Sequence, residues 1–292
     1  MDRDHRLLLI DGHAVAYRAF FAIRELSTVA GEPTNAVYGF IRMVQHLVRH
    51  WNPSHAAVVF DGGLSAERME LLPTYKAHRE AMPAALNAQF GAMNEFLVHS
   101  GLATIRQEQQ EADDVLATLC GQAAASFSEV LVATGDKDMF QLVNEKVFVI
   151  PTTKSDERMG TAEVFQRTGV WPRQIPDWLA LIGDQADNIP GVPGVGPKTA
   201  AKLLQAFQSV DGLYAGLSSV PSAKLRSALE KYQSAVERNL NMTRLHIDLP
   251  LAIGWQDCRL RPSDVSGLLS LYKRLEFHGM VRALENPPLF PQ

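Results

Sequence analysis

The sequence predicts an α/β fold in which helices cover a mostly parallel sheet and a smaller helical region follows. In the first three-fifths of the chain, short β-branched apolar runs alternate with helical stretches, as in parallel sheets. After about Pro176 the strand signals fade and helical patterns dominate, as at residues 198–207 and 223–240. We therefore expect an α/β core over residues 1–175 and a helical region over residues 176–292.

Four apolar runs are the candidate strands, at residues 6–10, 56–60, 129–133 and 147–150. The first two lead directly into Asp11 and Asp61, and the third reaches Asp136 after a Thr134-Gly135 turn. Active sites of open α/β sheets lie beyond the carboxyl ends of their strands. We expect these carboxylates to converge there.

Composition is that of a globular protein. At 292 residues and 46% hydrophobic content, the chain can bury a substantial core. Its longest apolar runs fall far short of the roughly 20 residues that span a membrane, and the start MDRDH lacks a signal-peptide core, so a cytoplasmic protein is expected. Cys120 and Cys258 form no CxxC pair, which argues against a disulfide framework or a zinc ribbon.

Nine acidic residues at predicted element boundaries are the most informative feature. They are Asp11, Asp61, Glu111, Asp113, Asp114, Asp136, Asp138, Asp184 and Asp187. Hard divalent cations such as Mg²⁺ bind carboxylate oxygens, and so many like charges need cations to neutralise them. Helix capping explains any single group equally well, but it does not explain the whole set. Without these nine, 28 basic side chains face 23 acidic ones, which leaves room for a basic surface around an acidic pocket.

Paired divalent ions activate water and stabilise the leaving oxygen of a phosphoryl displacement, without a side-chain nucleophile. The sequence contains no convincing GxSxG elbow or Cys/His pair that would supply one. His46 and His50 have the i, i+4 spacing of zinc ligands, but HLVRH lacks the glutamate of HExxH. We interpret these histidines as part of an exposed helix face.

A glycine-rich hairpin, GVPGVGPKT, lies between two predicted helices. Gly191, Gly194 and Gly196 allow tight turns and close approach of backbone N–H groups to a phosphate, and Lys198 adds positive charge. Pro197 separates glycine from lysine and so breaks the P-loop pattern GxxxxGK[ST]. A helix-hairpin-helix grip on a DNA backbone is favoured over a purely structural turn or a nucleotide-binding loop.

Six ordered motifs resemble those of one known family across nearly the whole chain. LLLIDGH, VVFDGG, YKAHREAMP, EADDVLATL, TGDKDMFQLV and GDQADNIPGVPGVGPKTA are similar to motifs of the 5′ to 3′ exonuclease (flap endonuclease) domain of bacterial DNA polymerase I. The resemblance implies a PIN-like sheet, a helical arch at about 62–86, and a helix-three-turn-helix at about 184–207. It also implies that all nine carboxylates belong to a site for two or more Mg²⁺ or Mn²⁺ ions.

Further residues match the family's substrate-binding positions. Lys76 and Arg79 resemble its catalytic basic pair on the arch, which from its charged sequence is expected to be a mobile excursion from the core. Arg68 matches another basic DNA-binding position, although Glu67 replaces the usual aromatic residue before it. Tyr17 resembles a base-stacking residue, with core packing as the alternative.

The resemblance also implies partners. Thr34 and Asn35 resemble positions that contact duplex DNA, and the hairpin resembles one that holds K⁺ against the phosphate backbone. The implied substrate is DNA with a 5′ flap or 5′ single-stranded end, or an RNA primer, cut by a monomeric, stand-alone nuclease. The tail around Leu289 and Phe290 faintly resembles sliding-clamp peptides. A junction-binding protein without activity, an NTPase and a PIN-fold RNA nuclease are the alternatives.

Overall fold

The computed structural model describes residues 5–286, and its centre is a parallel sheet of five strands in the order β3-β2-β1-β4-β5. The strands are β1 Arg6–Asp11, β2 His55–Phe60, β3 Ala103–Arg106, β4 Glu129–Thr134 and β5 Val147–Pro151, with a separate antiparallel pair of β6 Gly183–Asp184 and β7 Ile189–Pro190. All four predicted strands of the sheet are confirmed. The sequence pattern did not reveal β3, a four-residue edge strand with only one buried position.

The helices lie on both faces of the sheet and form most of the chain after residue 160. They are α1 Gly12–Ala22, α2 Asn35–Trp51, α3 Ala66–Leu71, α4 Ala84–Asn87, α5 Phe90–Ser100, α6 Ala112–Ala123, α7 Thr161–Thr168, α8 Ile175–Ile182, α9 Pro197–Phe207, α10 Val210–Ala215, α11 Ala223–Lys231, α12 Gln233–Thr243, α13 Val265–Arg274 and α14 His278–Glu285. The helical pattern over 223–240 is two helices, because the chain leaves helical geometry at Tyr232. Within the described residues, no helix is long and apolar enough to span a membrane.

Both faces of the sheet are buried, which explains why its strands are almost continuously apolar. Alternate residues of β1 point to opposite sides: Leu7 and Leu9 join the core beneath α6, and Leu8 and Ile10 join the core beneath α1, α2 and α5. The first core continues into the C-terminal helices through residues such as Leu204. The helical region therefore shares its apolar core with the sheet.

The last two helices, α13 and α14, return to the second face of the sheet. Leu268 and Leu271 are buried in the same cluster as residues of α2 and α5, and the Tyr272 hydroxyl accepts a hydrogen bond from Gln45 Nε2 at 3.0 Å. Residues 265–285 thus pack with the α/β core rather than with the helical region to which the predicted boundary assigned them. Leu289 and Phe290, the predicted clamp-docking residues, lie outside the described residues.

We expect Leu271→Ala to destabilise the sheet and the C-terminal helices together. Leu271 is fully buried, and truncating a buried leucine costs about 2–5 kcal/mol. Urea unfolding followed by far-ultraviolet circular dichroism and by tryptophan fluorescence should give one coincident transition at a lower midpoint. Separate transitions for the two probes would show that α13 and α14 unfold independently of the sheet.

Candidate active site

Asp11 and Asp61 stand where two neighbouring strands end, and each accepts a hydrogen bond from a backbone N–H in the first turn of a helix. Asp11 begins α1: its Oδ1 accepts a hydrogen bond from Ala14 N at 2.9 Å, and its Oδ2 accepts one from Thr134 Oγ1 at 2.9 Å. Asp61 Oδ1 accepts a hydrogen bond from Ala112 N at 2.8 Å, at the start of α6. The same two carboxylates therefore bind helix-start N–H groups and lie together at the carboxyl ends of the strands.

A cavity of about 580 Å³ opens at this edge of the sheet. Its walls include Asp11, Asp61, Asp113, Asp136, His13, Tyr17, Lys76 and Arg79. The structure thus brings together four of the nine predicted carboxylates, both predicted arch cations and the predicted stacking residue. The carboxylates come from the ends of β1 and β2, the first turn of α6 and the turn after β4, as the parallel topology requires.

Burial and mutual repulsion oppose ionisation in this cavity. Burial raises the pKa of Asp11 to about 6, with further contributions from the charges of Asp61 and Asp136. The pKa of Asp113 lies well above its usual value, first because of burial and then because of Asp136 and Asp11. Burial also acts to raise the pKa of Asp61, but hydrogen bonds from His13 and Ala112 outweigh it and lower this pKa overall.

A second acidic group, Asp138, Asp184 and Asp187, adjoins the first. The pKa of Asp138 is raised well above its usual value by burial, by Asp136 and then by the two other acids of this group. Asp138 Oδ1 is buried and has no hydrogen-bond partner among the described residues. Lys137 partly offsets the charge, with its Nζ 2.6 Å from Asp184 Oδ2 and 3.7 Å from Asp138 Oδ1.

The predicted arch packs on these carboxylates and does not extend away from the core. Tyr75 is buried against Ile189 and Met242, and its hydroxyl lies 3.0 Å from Glu111 Oε2 and 3.1 Å from Asp187 Oδ2. The charged composition of the segment predicted exposure and gave no sign of this contact. The arch packs here because its positive charges are attracted to the acidic surface.

Lys76 and Arg79, the arch cations, contact the same two acids. Lys76 Nζ lies 3.0 Å from Glu111 Oε1, and Arg79 Nη2 lies 2.6 Å from Asp187 Oδ1. Lys76 adopts a φ of 54°, a left-handed conformation that costs free energy and is concentrated at functional sites. Its backbone N–H donates to the Asp187 carbonyl at 3.0 Å, which holds this conformation.

The predicted roles of Asp114 as a metal ligand and of Arg68 as a DNA contact do not fit the structure. The two side chains form a buried bidentate ion pair, with Arg68 Nη1 and Nη2 at 2.6 and 2.8 Å from the Asp114 carboxylate. Arg68 also donates to Glu111 Oε2 at 2.9 Å, and Asp114 Oδ1 accepts from His246 N at 2.9 Å. Both residues tie α3 to α6 and are hidden from the cavity and from solvent.

Asn35, which was predicted to contact DNA, is also engaged inside the protein. Its Nδ2 donates to the carbonyls of Phe20 and Ile23 at 3.0 and 2.7 Å, and its Oδ1 accepts from Gln89 Nε2 at 2.9 Å. Thr34 is 1% exposed. Asn35 thus positions the start of α2 and Thr34 is buried, so a DNA contact here requires neighbouring backbone or other side chains.

The hairpin lies between α8 and α9, as predicted, but its glycines differ in environment. A Cβ on Gly191 would lie 2.2 Å from the carbonyl carbon of Ile182, so this glycine is required for internal packing. Gly194 has a φ of +84°, and both Gly194 and Gly196 face open space. Gly196 precedes the first turn of α9, where Lys198 is exposed. Only the last two glycines and Lys198 are placed to approach a ligand.

Three site residues were not predicted from the sequence. His13 Nδ1 lies 3.1 Å from Asp61 Oδ2, Lys137 pairs with Asp184, and Tyr75 connects Glu111 to Asp187. Each stands next to or near a predicted site residue, within DGH, DKD and YKAHR. Their closeness in sequence to predicted site residues was the one signal that could have identified them.

We expect Asp114→Asn to lower the free energy of unfolding of the metal-free protein by about 3–5 kcal/mol, because it breaks the buried bidentate pair and leaves Arg68 with only Glu111, which Lys76 shares. Asp113→Asn is the matched control, since Asp113 lines the cavity and its ionisation is already unfavourable. Urea unfolding in EDTA would measure both. Equal stability of the two variants would contradict a structural role for Asp114.

We expect Asp11→Asn to stabilise the metal-free protein at pH 8 by about 3 kcal/mol. The pKa of Asp11 is raised from 3.8 to about 6 in the folded state, so ionisation costs stability above pH 4, and the full cost is present above pH 6. Asparagine keeps an oxygen for the Ala14 N–H. Thermal unfolding in chelator-treated buffers between pH 4 and 8 should show the advantage of the variant growing with pH, and a wild type that is more stable at pH 8 would refute it.

Comparisons with known proteins agree with this architecture. Residues 6–169 match the family described as 5′-3′ exonuclease, N-terminal resolvase-like domain, and residues 170–266 match 5′-3′ exonuclease, C-terminal SAM fold. A 5′-3′ exonuclease of Aquifex aeolicus is 34% identical over 96% of this chain and 95% of its own length. DNA polymerase I of Mycobacterium leprae is 40% identical over 93% of this chain, which spans about a third of the length of such polymerase relatives.

A solved structure shares the fold at low sequence identity. It is a bacteriophage T5 flap endonuclease, solved as a pseudo-enzyme–product complex with DNA and metal ions. The TM-score is 0.68 at 21% identity, and the match covers 96% of this chain and 98% of the other. Together with the match over both family domains, this similarity identifies the chain as a member of the 5′-3′ exonuclease family.

Proposed function

We propose that this chain is a structure-specific nuclease that hydrolyses DNA phosphodiesters at 5′ flaps and 5′ ends. The observation that carries the proposal is the cavity in which Asp11, Asp61, Asp113 and Asp136 face the arch cations. A nuclease needs carboxylates to bind activating cations and basic groups to hold the phosphate. This cavity offers both within one space of about 580 Å³.

The residues present fit divalent cations such as Mg²⁺ or Mn²⁺. The carboxylates of the cavity would hold one group of ions, and Asp138, Asp184 and Asp187 would supply ligands or water contacts for another. In support, burial and repulsion raise the pKa of Asp11 and Asp113, and the buried Asp138 Oδ1 lacks a hydrogen-bond partner within residues 5–286. Bound divalent ions activate a water molecule and stabilise charge on the phosphate during displacement.

Lys76 and Arg79 would then hold the scissile phosphate. Their present partners, Glu111 and Asp187, belong to the carboxylate set, so cations bound there would free the arch cations to contact the substrate. Positioned cations stabilise the charge that develops in the transition state. Tyr17 lines the same cavity and offers a ring on which the terminal base stacks irrespective of sequence.

The hairpin would grip the duplex beside the cut. The open surface at Gly194 and Gly196 lets a phosphate backbone approach the first turn of α9, where helix N–H groups and Lys198 favour an anion. A K⁺ ion between the hairpin and the phosphates would strengthen this grip. Binding the duplex here and the single strand at the arch would place the junction over the carboxylates.

The decisive measurement is cleavage of a 5′-labelled flap duplex and of the matched single strand, with Mg²⁺ or with EDTA. Asp136→Ala should lower the cleavage rate by about 100-fold or more, since it removes a carboxylate that would hold an activating cation, and loss of even a supporting partner costs roughly 10- to 100-fold. Asp248→Ala is the control, because Asp248 is exposed and outside the cavity lining. We expect short 5′ products from the flap substrate alone, in Mg²⁺, from wild type and control.

The contrary outcomes are equally specific. Tight flap binding without cleavage in Mg²⁺ would contradict catalysis and favour a junction-binding protein. Cleavage of the single strand at the same rate as the flap would contradict junction specificity and favour a single-strand nuclease. ATP hydrolysis that depends on Lys198 would favour the NTPase alternative.

A further inference from the structure

A second cluster of metal-ligating side chains lies outside the active site, at the end of α2. His46 and His50 are one turn apart on this helix, and their rings stack with centroids 5.7 Å apart and planes at 22°. Both side chains are about two-fifths exposed. The sequence alone indicated only an exposed helix face, because HLVRH lacks the glutamate of HExxH.

Asp156 supplies the third ligand from the loop after β5. Its Oδ1 lies 2.6 Å from His46 Nε2 and 3.5 Å from His50 Nδ1. One ligand atom from each of the three residues lies within 4.8 Å of the others. Two imidazole nitrogens and one carboxylate oxygen therefore converge on one point at the surface.

The loop that carries Asp156 is held in place by contacts other than those with the histidines. Trp51 Nε1, at the end of α2, donates to the Ser155 carbonyl at 3.0 Å. On the other side of Asp156, the Arg158 guanidinium lies 4.2 Å from the centre of the Phe148 ring and pairs with Glu129. The three ligands are thus brought together by the fold, independently of their own attraction.

We propose that His46, His50 and Asp156 bind a transition-metal ion of the Zn²⁺ class. Imidazole suits zinc, copper and nickel, whereas Mg²⁺ requires oxygen ligands. Tetrahedral zinc places its ligand atoms roughly 3.3 Å apart, since each lies about 2.0 Å from the metal. The separations of 2.6 and 3.5 Å from Asp156 Oδ1 lie on either side of this value, and the three ligand atoms all lie within 4.8 Å of one another. Water would complete the coordination, and the ion would fasten the β5 loop to α2.

This site lies at the opposite edge of the sheet from the catalytic carboxylates. Arg6, the first residue of β1, donates to the Trp51 carbonyl beside His50, whereas Asp11 is the last residue of the same strand. The five steps between them span roughly 17 Å at about 3.3 Å per residue. The two metal sites are therefore separable in experiment.

The test counts zinc ions bound by the full chain in excess Mg²⁺, which occupies the catalytic carboxylates and leaves imidazoles free. Equilibrium dialysis with Zn²⁺ should give one fewer bound ion for His46→Gln and for His50→Gln than for wild type, or an affinity weakened at least tenfold, because loss of even a supporting partner costs roughly 10- to 100-fold. His99→Gln is the matched control, since His99 forms a surface pair with Asp264 at 2.9 Å. We expect it to bind zinc like wild type.

Binding of Cu²⁺ provides a second readout, which would not change if the histidines only formed a structural contact with Asp156. Its electron paramagnetic resonance spectrum should show nitrogen coupling in wild type and in His99→Gln, and weakened coupling in the two α2 variants. Circular dichroism in EDTA would confirm that all variants are folded. Equal zinc stoichiometry and affinity in wild type and both α2 variants would overturn the proposal. So would α2 variants that melt earlier in EDTA yet bind zinc unchanged, which would reduce the cluster to a hydrogen-bonded pair.

Discussion

The rest of the structure depends on the repulsion among carboxylates at the carboxyl edge of the sheet. Asp11 is buried and Asp113 and Asp138 are partly buried close to other acids, so the fold holds these charges at a cost in stability. The parallel topology enforces this, because β1, β2 and β4 all end at one edge. The protein offsets part of the cost locally, with hydrogen bonds to Asp11 and Asp61 and with Lys137 beside Asp184. Bound divalent cations would offset what remains.

The arch is best understood as part of that compensation. Lys76 and Arg79 neutralise Glu111 and Asp187. The buried Tyr75 holds the arch against the same two acids. The arch cations pair with carboxylates in this structure, and in the proposed mechanism metal binding would release them toward a substrate phosphate. The position of the arch and the charge state of the site are thus coupled through direct ion pairs.

Sequence patterns predicted the sheet well because each central strand is a short apolar run that ends in an acid. They failed where the decisive partner is distant in the chain. Asp113 and Asp114 are adjacent, but neighbours on a helix point about 100° apart, so one faces the cavity and the other faces Arg68, 46 residues earlier. Periodicity cannot distinguish the two. The edge strand β3 was missed because alternating exposure leaves it only one buried residue.

Distance along the chain also explains why one candidate metal site could be predicted from the sequence and the other could not. Acids at strand ends are visible in the sequence and select hard cations by their oxygen ligands. The pair His46 and His50 becomes a candidate site only when the fold brings Asp156 to it from 106 residues further along the chain than His50. The nitrogen ligands at one edge of the sheet and the oxygen ligands at the other prefer different metal ions. Excess Mg²⁺ would therefore compete with Zn²⁺ for the carboxylates but not for the histidines.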